Sequence, residues 1–379
     1  MLFLTAFLTS LLLVVFFTPA VIRVAHQKRL FDSPLEKRKV HKEVIPNLGG
    51  VAIVTSVLIV IALFAKFLHF TGVNFLFASC LIIFMTGIKD DIIGVDPIKK
   101  FAAQFIAAAV IVIMGDIRFT DLSGLVGFGH LAYPFSIGLS IFFIVGITNA
   151  YNLIDGIDGL AGGLGLLFFL LFAYMFYCCG EAEWVTVCLA IAGGLIGFLI
   201  YNFSPAKIFM GDCGSLILGF FAAVISIKFI NISLAHPIYV GNRLLHSPIA
   251  IPFAAMVLPA FDTIRVFVLR IAKNKSPFEA DRNHIHHRLL SVGLNHIQST
   301  LILVITTIAS VAIALSFQSI GHNQLISTVL IFVIMFNSTL NVCIYRYQKI
   351  KKEKKLARLD NVKQLKVTVA TENKYANIK

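Results

Sequence analysis

Residues 149–158 read NAYNLIDGID, with an amide or a carboxylate at every third position: Asn149, Asn152, Asp155 and Asp158. Oily runs flank them, PFSIGLSIFFIVGIT before and LGLLFFLLFAYMFY after. Four other polar stretches sit at the edges of apolar runs: RKVHKEVIPNLGG (38–50), GIKDDIIGVDPIKKFAAQ (87–104), NFSPAKIFMGDCGS (202–215) and AKNKSPFEADRNHIHHRLL (272–290). Between them the five supply Asp90, Asp91, Asp155, Asp158, Asp212, Lys100, His284, His286 and His287. Carboxylate and amide oxygens suit a hard cation such as Mg²⁺, which is commonly held by one or two carboxylates together with phosphates. Lysine and histidine suit the remaining phosphate charge. GDCGS, at the start of an apolar run, offers backbone N–H groups at a helix N-terminus. A divalent ion with positioned cations is the equipment of phosphoryl transfer.

The elements that must position these groups are membrane spans. Of 379 residues 58% are hydrophobic and 13% charged, and the mean hydropathy is +0.89. A soluble domain carries about 25% charged residues, so this chain has too much apolar surface to hide from water. At about 20 residues per crossing the apolar runs make about eleven spans, near 2–22, 47–68, 73–89, 101–117, 134–151, 161–179, 184–202, 212–230, 248–271, 299–317 and 324–345. The first lacks a basic leader and a cleavage site, and reads as a retained span. The expected fold is an all-α integral membrane protein of about eleven transmembrane helices. Residues 1–345 form the multi-span unit, with cytoplasmic loops at 23–46, 89–100, 152–160, 203–211 and 272–298. Residues 346–379 form a basic cytoplasmic tail, polar and expected to be mobile beyond about Arg358.

Loop charge sets the sides. Lys and Arg crowd the loops after the first, third and ninth spans and the tail. The alternate loops are poor in them, which puts the odd-numbered loops and the C-terminus in the cytoplasm and the N-terminus outside. All five polar stretches then converge on the cytoplasmic face. A carboxylate at membrane depth costs roughly 2.5–3.5 kcal/mol, so several at one face are expected to meet each other and a polar ligand. A three-residue step turns a helix by about 300°, whereas in a 3₁₀ turn the four side chains line up. Either way, a helix ending near Leu153, followed by Gly156 and Gly159, can direct them into one pocket.

Other readings are weaker. The net charge of +13 follows from the loops and tail, and no aromatic-basic surface motif points to nucleic acid. DGIDG lacks the alternating ligands of a calcium loop. HIHH has no cysteine or acidic residue at zinc spacing. The GG pairs read as helix-packing positions. The six cysteines lie in or beside apolar runs and read as free thiols. Asp262 and Arg265, three apart, read as an internal ion pair. An ion-coupled secondary transporter would also carry intramembrane carboxylates, but no internal repeat is visible and the polar residues gather at one face.

PNLGG, KDD followed by KKFAAQ, NAYNLIDGIDGLAGG, FMGDCGSL and DRNHIHHRLL, in this order across residues 1–345, resemble the polyprenyl-phosphate N-acetylhexosamine-1-phosphate transferases. The resemblance implies transfer of a sugar phosphate from a UDP-N-acetylhexosamine to undecaprenyl phosphate in the bacterial inner membrane, with release of UMP and a requirement for Mg²⁺ or Mn²⁺. It implies catalytic roles for Asp90, Asp91, Asp155, Asp158 and Lys100, metal ligation by Asn152 and Asp212, and substrate binding by Asn149, Arg282, His284, His286 and His287. It implies a homodimer as well. HIHH after PFEADRN resembles the branch that uses UDP-GlcNAc, in preference to the phospho-N-acetylmuramoyl-pentapeptide transferases.

Overall fold

Proline and glycine punctuate the apolar runs, and each run between them folds as one helix. The computed structural model describes residues 1–30, 45–68, 72–276 and 283–376, the last of these as backbone alone from 355 onward. Its helices are α1 (Leu2–Lys28), α2 (Gly49–Leu68), α3 (Val73–Ile93), α4 (Pro97–Ala109, extended by a π turn to Met114), α5 (Tyr133–Ile154), α6 (Leu160–Cys179), α7 (Ala182–Asn202), α8 (Asp212–Ala235), α9 (Ala250–Ile271), α10 (Ile285–Ser291), α11 (His296–Ser316) and α12 (His322–Ala376). Two antiparallel hairpins, β1 (Asp121–Leu125) with β2 (Phe128–His130) and β3 (Tyr239–Val240) with β4 (Arg243–Leu244), connect spans.

Ten helices among the described residues are long and apolar enough to cross a membrane. Helix α3 is not one of them, since its last turns hold Lys89, Asp90 and Asp91. Connectivity nevertheless makes it a crossing. Helix α2 begins beside the start of α8, where a side chain on Gly50 would strike the Gly214 backbone. Helix α3 ends at that same place, with Asp91 bonded to Asp212. The chain must therefore return through α3, and α1 to α9, α11 and α12 alternate in direction, as the sequence reading of about eleven spans requires. Helix α12 runs on past the last apolar stretch to Ala376.

Helix α8 is the axis of the bundle: 94% of its most apolar stretch is buried, against 22% for those of α1 and α12. A step from Phe168 to Phe172 to Phe176 on α6 packs against Phe229 of α8, with ring centroids at 5.3 and 6.0 Å from the last two. Outward faces carry exposed Phe16, Leu63, Phe142, Ile305 and Met335, the surface that a hydrocarbon solvent accepts. At the start of α8, missing side chains decide the geometry. A Cβ on Gly87 would lie 2.5 Å from the Cys213 Cα, so only glycine lets α3 approach α8 this closely.

Local chemistry sets the helix starts that carry polar side chains. Asp96 caps α4, accepting from Ile98 N at 2.9 Å, and Pro97 occupies the first turn, where its missing N–H is not needed. Asn295 and Gln298 form a reciprocal capping box on α11. These starts, together with the ends of α3, α5, α7 and α9, meet on one face.

Candidate active site

At the centre is an ammonium between two carboxylates. Lys100, in the first turn of α4, donates to Asp90 Oδ2 at 2.9 Å and to Asp212 Oδ2. Asp90 also accepts from Val95 N at 2.6 Å through its other oxygen. Asn152, in the last turn of α5, donates to Asp212 Oδ1 at 2.7 Å and to Ser215 Oγ at 2.9 Å. Four helices thus place one side chain each around Asp212: α3, α4, α5 and α8 itself. The ammonium marks the point where the two carboxylates focus their field.

Asp91 has a different part. Its carboxylate accepts from Asp212 N at 2.7 Å and from Cys213 N at 2.9 Å. It caps α8 from another helix, and so sets the backbone that carries Asp212. This corrects the expectation that the GDCGS amides are open to an anionic ligand. A carboxylate of the chain itself already occupies two of them, because the unpaired N–H groups of a helix start attract the nearest anion.

The residues of NAYNLIDGID part company. Asn149 joins a reciprocal amide pair, donating to Gln104 Oε1 at 2.5 Å and accepting from Gln104 Nε2 at 3.4 Å. Asn152 faces Asp212. Asp155 is the cap residue that ends α5. Burial, then the charges of Asp212 and Asp91, push its carboxyl up to about 7. Asp158 turns to the loop after α7 and to α11: its Oδ2 accepts from Ala206 N at 3.3 Å, and His296 Nδ1 lies 3.1 Å from its Oδ1. Its carbonyl accepts from Thr300 Oγ1 at 3.0 Å. A helix turns between successive members of the series and then ends, so one periodic motif serves several neighbours.

The histidines reach the same face through α10. Gly156 packs directly on the His286 ring, and a side chain there would overlap Nε2. The His284 and His286 rings are stacked, with centroids 5.7 Å apart, and His287 follows at 4.3 Å from His286. Burial, then neighbouring His287, pushes the His286 ring down to about 3, so it is neutral at physiological pH. Arg288 ties α10 to α12 by donating to Asn337 Oδ1 at 2.6 Å and to Asn341 Oδ1. Arg282 lies outside the described residues.

Asp262 is more than the partner of Arg265. It is 1% exposed and accepts from Arg265 Nη2 at 2.7 Å, from Ile285 N at 3.1 Å and, at 2.9 Å, from His284 Nδ1. An i,i+3 pair contributes about 0.2–0.5 kcal/mol, too little to offset a buried carboxylate costing roughly 2.5–3.5 kcal/mol at membrane depth. The α10 segment adds hydrogen bonds from the His284 ring and the Ile285 N–H to that carboxylate. Sequence reasoning also missed Asn202, which accepts from Gly159 N at 2.9 Å and donates to Ile208 O at 2.8 Å. It follows a long apolar run, and the polar YNFSP junction was its only signal.

The donor set fits a hard divalent ion completed by a ligand. Among the described residues no three His, Cys, Asp or Glu side chains converge as a closed cage. Asp90, Asp212, Asn152 and Ser215 instead gather two carboxylates, an amide and a hydroxyl as an open set, and a half-turn of the Asn152 amide would add its oxygen to that of Asp212. Such a set suits Mg²⁺, which keeps positions for water and phosphate. A separate cavity of about 440 Å³, lined by Arg243, His246 and Gln318 among others, lies at the opposite face.

The model of glycosyl transferase family 4 matches residues 73–230, which contain Asp90, Lys100, Asn152 and Asp212. The chain is 37% identical over 303 residues to a probable undecaprenyl-phosphate N-acetylglucosaminyl 1-phosphate transferase of Bacillus subtilis (strain 168), covering 79% of this chain and 80% of that protein. It is 33% identical over 318 residues to a decaprenyl-phosphate N-acetylglucosaminephosphotransferase of Mycobacterium leprae (strain TN), covering 76% and 77%. With an undecaprenyl-phosphate alpha-N-acetylglucosaminyl 1-phosphate transferase of Escherichia coli O157:H7 the identity is 25% over 297 residues, covering 77% of each chain.

Proposed function

The chain belongs to glycosyl transferase family 4, and on that premise we propose that it moves N-acetylglucosamine 1-phosphate from UDP-GlcNAc to undecaprenyl phosphate. It is a multi-pass membrane enzyme, a phospho-N-acetylglucosamine transferase. The observation that carries the chemistry is the Lys100 ammonium between Asp90 and Asp212, with Asn152 on the second Asp212 oxygen.

The acceptor's isoprenoid tail lies in lipid between spans, with its phosphate at the face where Asp90 and Lys100 sit. The donor arrives from water on the same side. An acceptor phosphate oxygen attacks the donor phosphorus nearer the sugar. The new P–O bond forms as the bridging P–O bond of the diphosphate breaks, and UMP leaves with the electron pair. Asp90 orients the attacking phosphate and takes any proton it still carries. Lys100 balances the charge on the transferred phosphoryl group. Asp212 and Asn152 would hold Mg²⁺ or Mn²⁺, which when bound neutralises the diphosphate and makes UMP a better leaving group. Asp155 adds negative charge beside that set, and Asp158 fixes the loop after α7 and the start of α11. His284, His286 and His287 bind the donor phosphates, and the resemblance alone gives Arg282, outside the described residues, the same role.

The reactive face is taken as cytoplasmic. Lys28, Arg29, Lys99, Lys273 and Lys275 flank the spans on that side, as the positive-inside bias requires, which leaves the N-terminus outside. The names of the relatives favour GlcNAc over a MurNAc-pentapeptide donor, and a transferase over a carrier.

The test is turnover by purified protein with undecaprenyl phosphate, Mg²⁺ and each of UDP-GlcNAc, UDP-GalNAc and UDP-MurNAc-pentapeptide. UMP release and a lipid product heavier by one GlcNAc-phosphate are expected with the first donor. Solute accumulation in proteoliposomes with the UDP-sugar left intact overturns the proposal, as does a preference for the pentapeptide donor.

A further inference from the structure

Three donors converge on the buried carboxylate of Asp262: the Arg265 guanidinium at 2.7 Å, the His284 ring at 2.9 Å and the Ile285 backbone N–H at 3.1 Å. Arg265 comes from the same helix. The other two come from the first residues of HIHH, more than 20 positions further along the chain. Arg265 also donates to the Asn283 carbonyl, immediately before His284. Asp262 and Arg265 together therefore hold residues 283–285 against α9 and fix where α10 begins.

The contact selects one ring. His286 is 1% exposed, and its Nδ1 has no hydrogen-bond partner among the described residues. His284, at 5% exposure, has a carboxylate on Nδ1. A carboxylate accepts and cannot donate, so Nδ1 of His284 must carry the proton. Nε2 is then the nitrogen on the side of the ring away from the carboxylate. Carboxylates behind metal-ligating histidines hold those rings in one tautomer and orientation in the same way.

We infer that Asp262 is a positioning residue of the transfer reaction: it fixes the orientation and the Nδ1 proton of His284, so that the Nε2 edge of the ring is turned to the donor diphosphate. The inference rests on the reading that His284 contacts the donor. It assigns Asp262 a task that a helix ion pair with Arg265 does not include. Arg265 is the control for the ring contact, since it holds the same carboxylate and the Asn283 carbonyl but leaves the His284 ring untouched.

The test uses the full chain in lipid nanodiscs. With ¹⁵N-labelled histidine, and His284→Gln to assign the ring, the unliganded wild type is expected to show a protonated Nδ1 at residue 284. A signal from the Nε2–H tautomer overturns the inference. In steady-state turnover with saturating lipid phosphate, Asp262→Asn is expected to raise KM for UDP-GlcNAc tenfold or more, with kcat changed less than threefold. Arg265→Gln is expected to raise it less than threefold. In a His284→Ala background, Asp262→Asn is expected to add nothing further. Equal effects of the Asp262 and Arg265 variants, or effects of Asp262 and His284 that multiply, overturn it. The nitrogen spectrum of the wild type decides the contact even where Asp262→Asn fails to fold. It also does so without a substrate: if UDP-GlcNAc is not turned over, the donor assignment has failed, and the ring's tautomer still judges Asp262.

Discussion

The carboxylate of Asp91, at the end of α3, accepts the backbone N–H of Asp212 at 2.7 Å, at the first residue of α8. Two aspartates adjacent in sequence, Asp90 and Asp91, therefore act on Asp212 in different ways. One shares its lysine; the other holds its backbone. A side-chain cap on a helix start contributes about 0.5–2 kcal/mol. Asp91→Ala is expected to lower stability by about that amount and to cut turnover, because Asp212 loses its register. Asp91→Asn retains one acceptor and is expected to lose less of both. Thermal unfolding in detergent, run beside UMP release, measures it. A variant with Ala that is as stable as wild type and yet inactive would mean that the carboxylate serves a ligand instead.

Lys100 separates two carboxylates that otherwise face each other. Lys100→Met is expected to reduce kcat at least 100-fold while Mn²⁺ binding, read by paramagnetic resonance, persists or strengthens. Removing the ammonium leaves the two anions to a divalent ion. Lys100→Arg is expected to fail as well, since a planar guanidinium cannot replace a compact ammonium at this point. Loss of Mn²⁺ binding in Lys100→Met would count against the shared site.

Asp155 predicts a pH dependence of stability. Its carboxyl stands at about 7 in the folded chain, against an ordinary 3.8. Below about pH 4 the group is neutral in both states and destabilises neither. Between about pH 4 and 7 the unfolded chain releases its proton and the folded chain keeps it. Stability therefore falls as pH rises through that window. Unfolding of metal-free protein between pH 5 and 8 should show this slope, and Asp155→Asn should flatten it. Added Mg²⁺ should flatten it in the wild type too, because a cation beside the carboxylate favours the ionised form. An unchanged slope in Asp155→Asn would assign the dependence to another group.

Gly156 links the DGIDG loop to HIHH by contact alone. Gly156→Ala places a methyl group where His286 Nε2 lies, so α10 must shift. The expected result is a KM for UDP-GlcNAc raised about tenfold, corresponding to about 1.4 kcal/mol, with unfolding little changed. Donor kinetics measure it, and a wild-type KM would show that α10 has no part in donor binding.

Much of the architecture was legible before any coordinates. Apolar runs of about 20 residues have one stable form in lipid, and the distribution of Lys and Arg distinguishes the two ends. Charged groups in such a chain are costly enough to stand out, which is why Asp90, Lys100, Asn152 and Asp212 could be named and expected to meet. The start of α4 could be read as well, since Asp96 and Pro97 form a local cap.

Pairing could not be read, because a hydrogen bond between helices depends on which spans adjoin and at what depth. Periodicity in one span carries no information on either. Asn149 and Asn152 differ by three residues and nothing else in sequence, yet one turns to Gln104 and the other to Asp212. Asp262 and Arg265 form a sufficient local pair on paper, and only the return of α10 along α9 adds His284 to it. The sequence by itself determined which residue types the membrane face would hold and on which side of the bundle. The tertiary structure alone decided which carboxylate faces a ligand and which holds another residue in place, since that choice is made by distances of a few ångströms between segments remote in the chain.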